Sequence, residues 1–555
     1  MKRIISLTVA ALLTLSLAAC GGGKKPITED PNTPYKRYNE TLNYTTVRRS
    51  PSDATLPAGW TLDSNPYTDF MKKDINTVGT VNWENPTLDD RLLLDLTANT
   101  LPDVFFVTNY STFQTLYNAD VLADLTDSYN NYATDKMKDQ YNTYTGIWDP
   151  FTFNGRKFAL PMTNNGYQQS LLWVRQDWLD RYNLPVPRTI ADIENTARVF
   201  VDQNASGKDT GTIGINIMRE DAFDGYRGTM GLETVASAMG AYPKQWMQRA
   251  DGTVYYGSVQ PEFKQVLAKV LNWVQTGLVP QDIFDTDTRI INAYPLTGDT
   301  GLWFFPWSWP YGNNSSFMTR NPDAKLTVVA APFNVSGDTS KVDYFTGSPY
   351  EGMLCVKKGF SNPEVIFKVF ALFSDMYNGI YQEGYEALQP ARDANTPWYY
   401  LAPLGEYDCR YDDAMIRDVK DLDAYINNGI TPDPFPQSTQ LRFSLVKNYI
   451  DGTDTSATAW SEYMQRYVGA AVQGDPAFNA VHPVFFEQTQ TMADDWTSLQ
   501  NNERGMIYNI LSDPTDYPLS ATFDQFVADW KAGGGDAITA EVQAIVDARQ
   551  AETGG

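Results

Sequence analysis

Apolar and polar positions in the first part of the chain follow two different spacings in turn. The predicted strands are 45–48, 78–83 and 103–107, and the predicted helices are 65–75 and 87–98. In the second helix Leu88, Leu92 and Leu96 recur at the spacing of one helical face. Strands that alternate with helices are typical of a parallel sheet covered on both faces.

The ends of these strands are candidate binding positions. In open sheets of this kind, ligands bind beyond the carboxyl ends of the strands. Trp83 and Glu84 end one predicted strand, and Asn109 and Tyr110 follow another. We therefore expect these four side chains to contact a ligand.

The pattern restarts after a hairpin-like turn at Asn154 and Gly155. The next apolar run leads to Asn164 and Asn165, which are candidate ligand contacts at a crossover. Beyond them we predict strands at 170–175 and 212–217, and helices at 176–182 and 190–203. Thr189 has the position of a helix N-cap. The restart indicates a second lobe. No period of 20 to 50 residues recurs in the sequence, so a repeat protein is not expected.

The first residues have the features of an export signal. Lys2 and Arg3 precede an uncharged apolar stretch that ends at Leu17. This stretch is shorter than the ~20 apolar residues of a spanning helix, so residues 1–19 are predicted as a signal peptide. The small residues before Cys20 resemble the cleavage context of bacterial lipoproteins, which implies lipidation of Cys20. Residues 20–43 lack apolar periodicity and are predicted as a flexible tether.

Composition indicates a globular body with acidic character. The 555 residues are 42% hydrophobic and 13% aromatic, which is enough for a large core. The formal charge of −24 would become −26 without Lys2 and Arg3. Such a charge repels phosphate backbones, so nucleic acid is not expected as a partner. Cys355 and Cys409 either form a disulfide or, as the apolar run around Cys355 allows, serve as buried small side chains.

Several stretches resemble, in the same order, the extracellular solute-binding proteins of carbohydrate ABC importers. This family includes maltose-binding protein and larger lipoproteins. The stretches are LPDVFF at 101–106, ADLT at 123–126, NGRKFALP at 154–161, LWVRQDWL at 172–179, PRT at 187–189, PWSW at 306–309 and SNPE at 361–364. The C-terminal part, with Trp530 and a run of glycines at 533–535 before a final helix, is similar only to the larger lipoproteins.

The resemblance implies an α/β fold of the two-lobed periplasmic-binding-protein type II kind, with an added, mostly helical C-terminal portion. Lobe 1 would comprise residues 44–163 and about 348–555, and lobe 2 residues 164–347. The implied protein is a monomer on the extracytoplasmic side of the cell membrane. It would capture a carbohydrate in a cleft between the lobes and deliver it to the permease subunits of an ABC transporter.

A sugar offers apolar C–H faces and a rim of hydroxyls, so aromatic rings and fixed polar groups are needed to hold it. Trp307 and Trp309 alternate in an irregular aromatic segment, and the resemblance places such a pair at the cleft. Further polar and aromatic candidates lie at predicted strand ends or crossovers: Arg219, Glu220, Tyr350 and Glu351. Core packing is the alternative for the aromatic residues.

The residue types present in the sequence also restrict which classes of enzyme are possible. A lipid-anchored glycoside hydrolase stays open, because a pair of carboxylates suffices for that reaction. The single histidine, His482, disfavours zinc and triad chemistry, and no nucleotide-binding loop or serine elbow is present. We therefore expect a binding protein without cofactor or metal. A protein that binds a peptide or another solute remains the third alternative.

Overall fold

The computed structural model describes residues 25–49, 56–163, 166–224, 230–394, 396, 398–402, 404, 408–432 and 435–553. The strands of these residues are β1 Leu42–Arg48, β2 Thr77–Glu84, β3 Val104–Val107, β4 Thr152–Phe153, β5 Arg156–Lys157, β6 Leu160–Pro161, β7 Leu171–Arg175, β8 Trp246–Gln248, β9 Val254–Tyr256, β10 Leu302–Phe305, β11 Leu326–Val329, β12 Val342–Phe345, β13 Met353–Val356 and β14 Phe478–Val481.

The helices up to residue 401 are α1 Pro66–Asp74, α2 Leu88–Ala98, α3 Tyr110–Asn118, α4 Thr126–Tyr132, α5 Asp135–Asn142, α6 Gln176–Tyr182, α7 Ile190–Asp202, α8 Glu233–Ala238, α9 Pro261–Gln275, α10 Thr288–Thr297, α11 Phe317–Arg320, α12 Val365–Asn378, α13 Gln382–Ala387, α14 Gln389–Asp393 and α15 Trp398–Leu401. Those that follow are α16 Ala414–Asn428, α17 Gln437–Ile450, α18 Ala457–Glu462, α19 Ala470–Gln473, α20 Gln490–Ser512, α21 Leu519–Trp530 and α22 Asp536–Thr553, with π-helical turns at Tyr463–Gly469 and Lys531–Gly535.

The chain divides into two compact units. Unit 1 comprises Met1–Lys138, Phe151–Met162 and Gly352–Asp408, and unit 2 comprises Asp139–Pro150, Thr163–Glu351 and Cys409–Gly555. The C-terminal portion therefore packs with the residues expected in lobe 2, which corrects its expected place in lobe 1. The reason is a shared apolar core: Ile507, Trp530 and Ile538 of this portion join the cluster that contains Trp246 and Phe263.

Capping side chains fix several helices where the sequence predicts them. Asn65 accepts hydrogen bonds from the backbone N–H groups of Tyr67 and Thr68 at the start of α1. Thr189 caps α7 in the same way, through the N–H of Asp192 at 3.1 Å. These local signals are sufficient to start a helix at a defined residue.

The strand pairings differ from the expected parallel sheets. Strand β13 lies between β3 and β6 and is antiparallel to both, and β7 lies between β10 and β11 and is antiparallel to both. Only β1 with β2 and β12 with β14 are parallel pairs among the described strands. Periodicity predicts the type of an element, whereas its partner and direction depend on distant residues such as those of β13.

The prediction of a strand at 212–217 is wrong. Its residues form two isolated bridges, Ile213 with Thr300 and Asn216 with Trp303. Gly214 explains the irregular path, because a Cβ atom there would come within 2.8 Å of the carbonyl oxygen of Leu278. The close approach of two backbones replaces a continuous ladder.

The segment expected as a tether is packed on unit 1 from Ile27 onward, and we call residues 27–40 the N-terminal clasp. Ile27 donates its N–H to the side chain of Asn362 at 3.0 Å. The ammonium of Lys368, a residue only 4% exposed, bonds to the Glu29 carboxylate and lies 3.9 Å from the centre of the Tyr38 ring. A buried ion pair and one buried aromatic ring thus fix a segment that has no apolar periodicity.

Two further expectations concern cysteines and membrane spans. Cys355 and Cys409 are both buried, and neither is in a disulfide. Burial raises the pKa of the Cys355 thiol, as suits a small side chain of the apolar core. Within the described residues, no helix is long and apolar enough to cross a membrane.

Candidate functional site

A cavity of about 650 Å³ lies within unit 2. We call it the unit 2 pocket. Its lining combines aromatic rings with charged and amide side chains, contributed by Asp224, Lys244, Gln245, Trp246, Gly347, Ser348, Tyr350, Glu351, Phe485, Phe486, Glu487, Met492, Trp496 and Gln500. Four separate parts of the chain thus meet here: Asp224, the β8 region, the end of the 163–351 segment, and the C-terminal portion.

One wall of the pocket is aromatic. The ring of Trp246 on β8 lies 6.1 Å from that of Trp496 on α20, with 28° between the ring planes. Behind them Tyr256 stacks on Trp530 at 5.4 Å. Trp246 is only 4% exposed, whereas Trp496 is half-buried, so Trp496 offers the more accessible ring surface to a ligand.

The hairpin of β8 and β9 holds this wall in place. Its return segment passes so close to the preceding loop that a Cβ on Gly257 would lie 1.7 Å from the Tyr242 carbonyl oxygen. Only glycine permits that approach. The N–H of Lys244 donates to the Ser258 hydroxyl at 2.6 Å, which fixes the residue that enters the pocket two positions before Trp246.

A buried carboxylate anchors the hairpin to α20. Glu503 is 1% exposed and accepts hydrogen bonds from the hydroxyls of Tyr256 at 2.9 Å and Ser258 at 2.7 Å. Burial raises the pKa of Glu503. The C-terminal portion is therefore bonded to the hairpin that carries Lys244 and Trp246, and does not merely lie beside it.

Ion pairs surround the charged side of the pocket. Lys244 pairs with Asp224, and Arg504 bonds to Asp224 at 3.3 Å and to Asp221 at 2.9 Å. Burial, followed by the charge of Asp224, raises the pKa of Asp221. Both cations are thus already held by carboxylates.

The carboxylate of Glu487, which also lines the pocket, is likewise held by fixed partners. Its side chain is 4% exposed, lies 2.9 Å from the guanidinium of Arg549, and accepts the N–H of Phe486 at 3.0 Å. Gln500 on α20 is exposed by contrast. The pocket therefore presents a mixture of fixed and accessible polar groups next to aromatic rings.

The structure brings four of the predicted site residues to this region. Tyr350 and Glu351 line the unit 2 pocket. Arg219 lies 4.0 Å from Glu220 and 3.9 Å from Asp221, the residue that pairs with Arg504. Arg219 and Glu220 are therefore connected to the pocket through its ion pairs, without lining it.

Trp307 and Trp309 occupy core positions, which corrects the expectation that they contact a ligand. Trp309 is 0% exposed, and its ring lies 4.8 Å from Trp303 and 5.5 Å from Trp173. Trp307 is 7% exposed, and its backbone packs so closely on Gly469 that a Cβ there would lie 2.9 Å from the Trp307 carbonyl oxygen. These two tryptophans therefore belong to the apolar core of unit 2.

The predicted residues of unit 1 have local roles there. Trp83 donates its indole N–H to Asp95 at 2.7 Å, and Glu84 pairs with Arg48 at 3.3 Å. Asn109 donates its backbone N–H to Asp89 at 2.8 Å. Tyr110 packs on rings of the unit 1 core, Phe113 and Phe151. Asn164, Asn165 and Cys20 lie outside the described residues.

Sequence reasoning missed the contribution of the C-terminal portion. Trp496 lies on an amphipathic helix, where an aromatic residue ordinarily indicates core. The available signal was Glu503, a charged residue on the apolar face that also carries Leu499, Met506 and Ile507. A carboxylate at such a position requires buried partners, and these partners are the hairpin hydroxyls.

The pocket has the chemistry of a binding site for a polar ligand with apolar faces. Indole rings cover C–H surfaces, while carboxylate and amide oxygens accept hydrogen bonds from hydroxyls.

Within the described ranges, no group of three or more metal-binding side chains occurs. Asp287 caps α10 by accepting the backbone N–H of Arg289 at 2.8 Å.

Comparisons with known proteins agree with this fold. A family model described as bacterial extracellular solute-binding protein matches residues 57–350. No curated protein sequence matches the chain.

Three solved structures illustrate the similarity. An HMO-binding, ABC-transporter-associated solute-binding protein from Bifidobacterium longum infantis has a TM-score of 0.59 and 15% identity, with 91% of this chain and 99% of that chain covered. The substrate-binding protein FusA of S. pneumoniae, in complex with kestose, has a TM-score of 0.56 and 14% identity, with 92% and 100% covered. An alginate-binding protein solved without calcium ion has a TM-score of 0.56 and 14% identity, with 92% and 98% covered. Identities this low establish the fold alone.

Proposed function

Because the chain belongs to the bacterial extracellular solute-binding proteins, we propose that it captures a carbohydrate and delivers it to the permease of an ABC importer. The proposed ligand is an oligosaccharide, and the chain performs no covalent chemistry. The lipid proposed at Cys20 holds the protein at the outer side of the cell membrane.

The observation that carries this proposal is the lining of the unit 2 pocket. The half-buried ring of Trp496 and the side chains of Glu351 and Gln500 border one cavity of about 650 Å³. A sugar ring needs both kinds of group within one cavity. The carbohydrate ligands of the structurally similar proteins support the same ligand class.

The experiment is a binding titration of a neutral oligosaccharide panel by calorimetry, followed by the Trp496→Ala variant with the sugar that binds. Loss of ring contact and apolar burial should weaken binding by about tenfold to a hundredfold, equivalent to ~1 to 3 kcal/mol. Trp148→Ala is the matched control. That tryptophan is also half-buried in unit 2, packs 4.7 Å from Tyr141, and does not line the pocket.

Three outcomes would contradict the proposal. Sugar turnover by the purified protein would favour the glycoside hydrolase, the main alternative. Binding of a peptide panel without binding of any sugar would favour the third alternative. Equal loss of affinity in Trp496→Ala and Trp148→Ala would remove the pocket from the binding site.

A further inference from the structure

Lys244, in the lining of the unit 2 pocket, has a backbone conformation that lysine rarely adopts. Its φ angle is +62°, in the left-handed region that favours glycine and asparagine. Six of the ten described non-glycine residues in this region are Asn or Asp, so a short side chain is the usual solution in this chain. A strained lysine in the wall of a cavity indicates a function for its side chain.

The ammonium of Lys244 is paired with the carboxylate of Asp224, which also lines the pocket. The two side chains are 19% and 38% exposed, so a ligand in the pocket can contact both. An ammonium has three N–H donors, and a carboxylate has about four lone-pair sites. Each group can therefore form a hydrogen bond to a ligand while the pair stays intact.

Both members of the pair are also held by other residues. Arg504 donates to the second oxygen of Asp224 at 3.3 Å. The Ser258 hydroxyl accepts the backbone N–H of Lys244 at 2.6 Å and donates to the buried Glu503 at 2.7 Å. A donor and an acceptor thus lie side by side at fixed positions, which lowers the cost of ordering them around a ligand.

We infer that the Asp224–Lys244 pair recognises two adjacent free hydroxyl groups of one sugar ring, one of which donates to the carboxylate while the other accepts from the ammonium. Hydroxyls on neighbouring ring carbons lie about as far apart as two hydrogen-bonded atoms, which matches the spacing of the paired groups. Charged partners strengthen both hydrogen bonds. The inference rests on the proposed function and adds the ligand class: sugars with an unmodified pair of adjacent hydroxyls.

The experiment uses sugars that differ only in this feature. Four trisaccharides joined through O4 are used as methyl glycosides, namely those of cellotriose, maltotriose, mannotriose and xylotriose. Each is titrated into the full chain by calorimetry beside a counterpart methylated at O3 of every ring, which has no adjacent free hydroxyls. For each parent sugar that binds, we expect methylation to weaken binding about tenfold or more, because a hydrogen bond to a charged group is worth at least that factor.

Two lysine variants assign this effect to the pair. Lys244→Met removes the ammonium and leaves Asp224 bonded to Arg504. It should weaken binding of the parent sugar about tenfold or more, and reduce the effect of methylation to about threefold or less. Lys264→Met is the matched control and should leave affinity nearly unchanged, since that lysine also pairs with a carboxylate, Asp524 at 2.8 Å, but does not line the pocket.

Lys244→Asn separates the side chain from the turn. Asparagine adopts the left-handed conformation more readily than lysine, and a partly exposed ion pair contributes little to stability. The midpoint of urea unfolding should therefore be at least that of the wild type, while sugar affinity falls as in Lys244→Met. A variant that loses stability and keeps wild-type affinity would assign Lys244 a structural role.

The outcomes separate the inference from the proposed function. Equal affinity for a parent sugar and its methylated counterpart, an undiminished effect of methylation in Lys244→Met, or wild-type affinity in either Lys244 variant overturns the inference while the carbohydrate function stands. Absence of binding by all four parent trisaccharides overturns the carbohydrate function, and the inference falls with it.

Discussion

Glu233 has a deeply buried carboxylate in unit 2. It is 1% exposed on α8 and accepts the N–H of Ser170 at 3.1 Å through one oxygen. The other oxygen, Oε2, has no hydrogen-bond partner among the described residues. A buried carboxylate with one unpaired oxygen favours the protonated form, and burial raises the pKa of Glu233 to about 7.

This pKa predicts an unusual dependence of stability on pH. The folded state binds the Glu233 proton more tightly than the unfolded state, whose pKa is about 4.3. Its stabilising contribution is therefore complete below about pH 4 and is lost as the pH rises through 7. We expect the contribution of Glu233 to the free energy of unfolding to fall by about 2 to 3 kcal/mol between pH 5 and 8.

Urea unfolding of the wild type and of Glu233→Gln at several pH values measures this contribution. Glutamine keeps an acceptor for the Ser170 N–H and cannot ionise, so the variant should be the more stable protein at pH 8. Glu262→Gln should retain the wild-type pH dependence. A Glu233→Gln variant with the full wild-type slope between pH 5 and 8 would show that Glu233 does not titrate in this range.

At the scale of elements, α20 connects the pocket to the core. The helix contributes Met492, Trp496 and Gln500 to the pocket lining. About two turns beyond Gln500, Ile507 and Ile510 are fully buried in the core of unit 2. Because one rigid helix serves both purposes, a change in its anchoring should affect stability and ligand affinity together.

Glu503 is the residue that tests this coupling. Glu503→Ala leaves the buried hydroxyls of Tyr256 and Ser258 without their acceptor, at a cost of about 2 to 4 kcal/mol in unfolding free energy. It should also weaken sugar binding, because the hairpin that carries Trp246 loses its attachment to α20. Glu503→Gln keeps an acceptor oxygen and should lose less of both.

Urea unfolding and calorimetric titration of the two variants distinguish coupling from a local defect. If Glu503→Ala is destabilised but binds sugar with wild-type affinity at a temperature where it is folded, α20 does not position the pocket.

Element types were more predictable from the sequence than their partners. Helices α1 and α7 begin at capping side chains, Asn65 and Thr189, that local sequence reveals. The direction of β13 depends on β3, some 250 residues earlier, and no local pattern encodes it. Trp309 shows the same limit for the prediction of site residues. In an irregular segment, the local sequence does not distinguish an aromatic side chain of the core from one that lines a pocket.

At the scale of the whole molecule, the anchor proposed at Cys20 predicts where the protein is found. Cys20→Ser removes the thiol that would carry the lipid, and the variant should leave the membrane fraction, since one lipid-modified cysteine is the expected attachment. Fractionation after a high-salt wash measures this. Cys409→Ala changes a buried cysteine of unit 2 and should remain with the membrane. A Ser variant that stays membrane-bound would contradict the anchor.

The N-terminal clasp changes how far such an anchored protein can travel. Bonded to unit 1 from Ile27, the chain has seven residues between the lipid and the body, a reach of at most about 25 Å. A free segment up to residue 43 would reach about 80 Å. If Cys20 carries the proposed lipid, the protein would be confined to a layer about one third as thick, and its effective concentration at the proposed permease in the same membrane would rise in proportion.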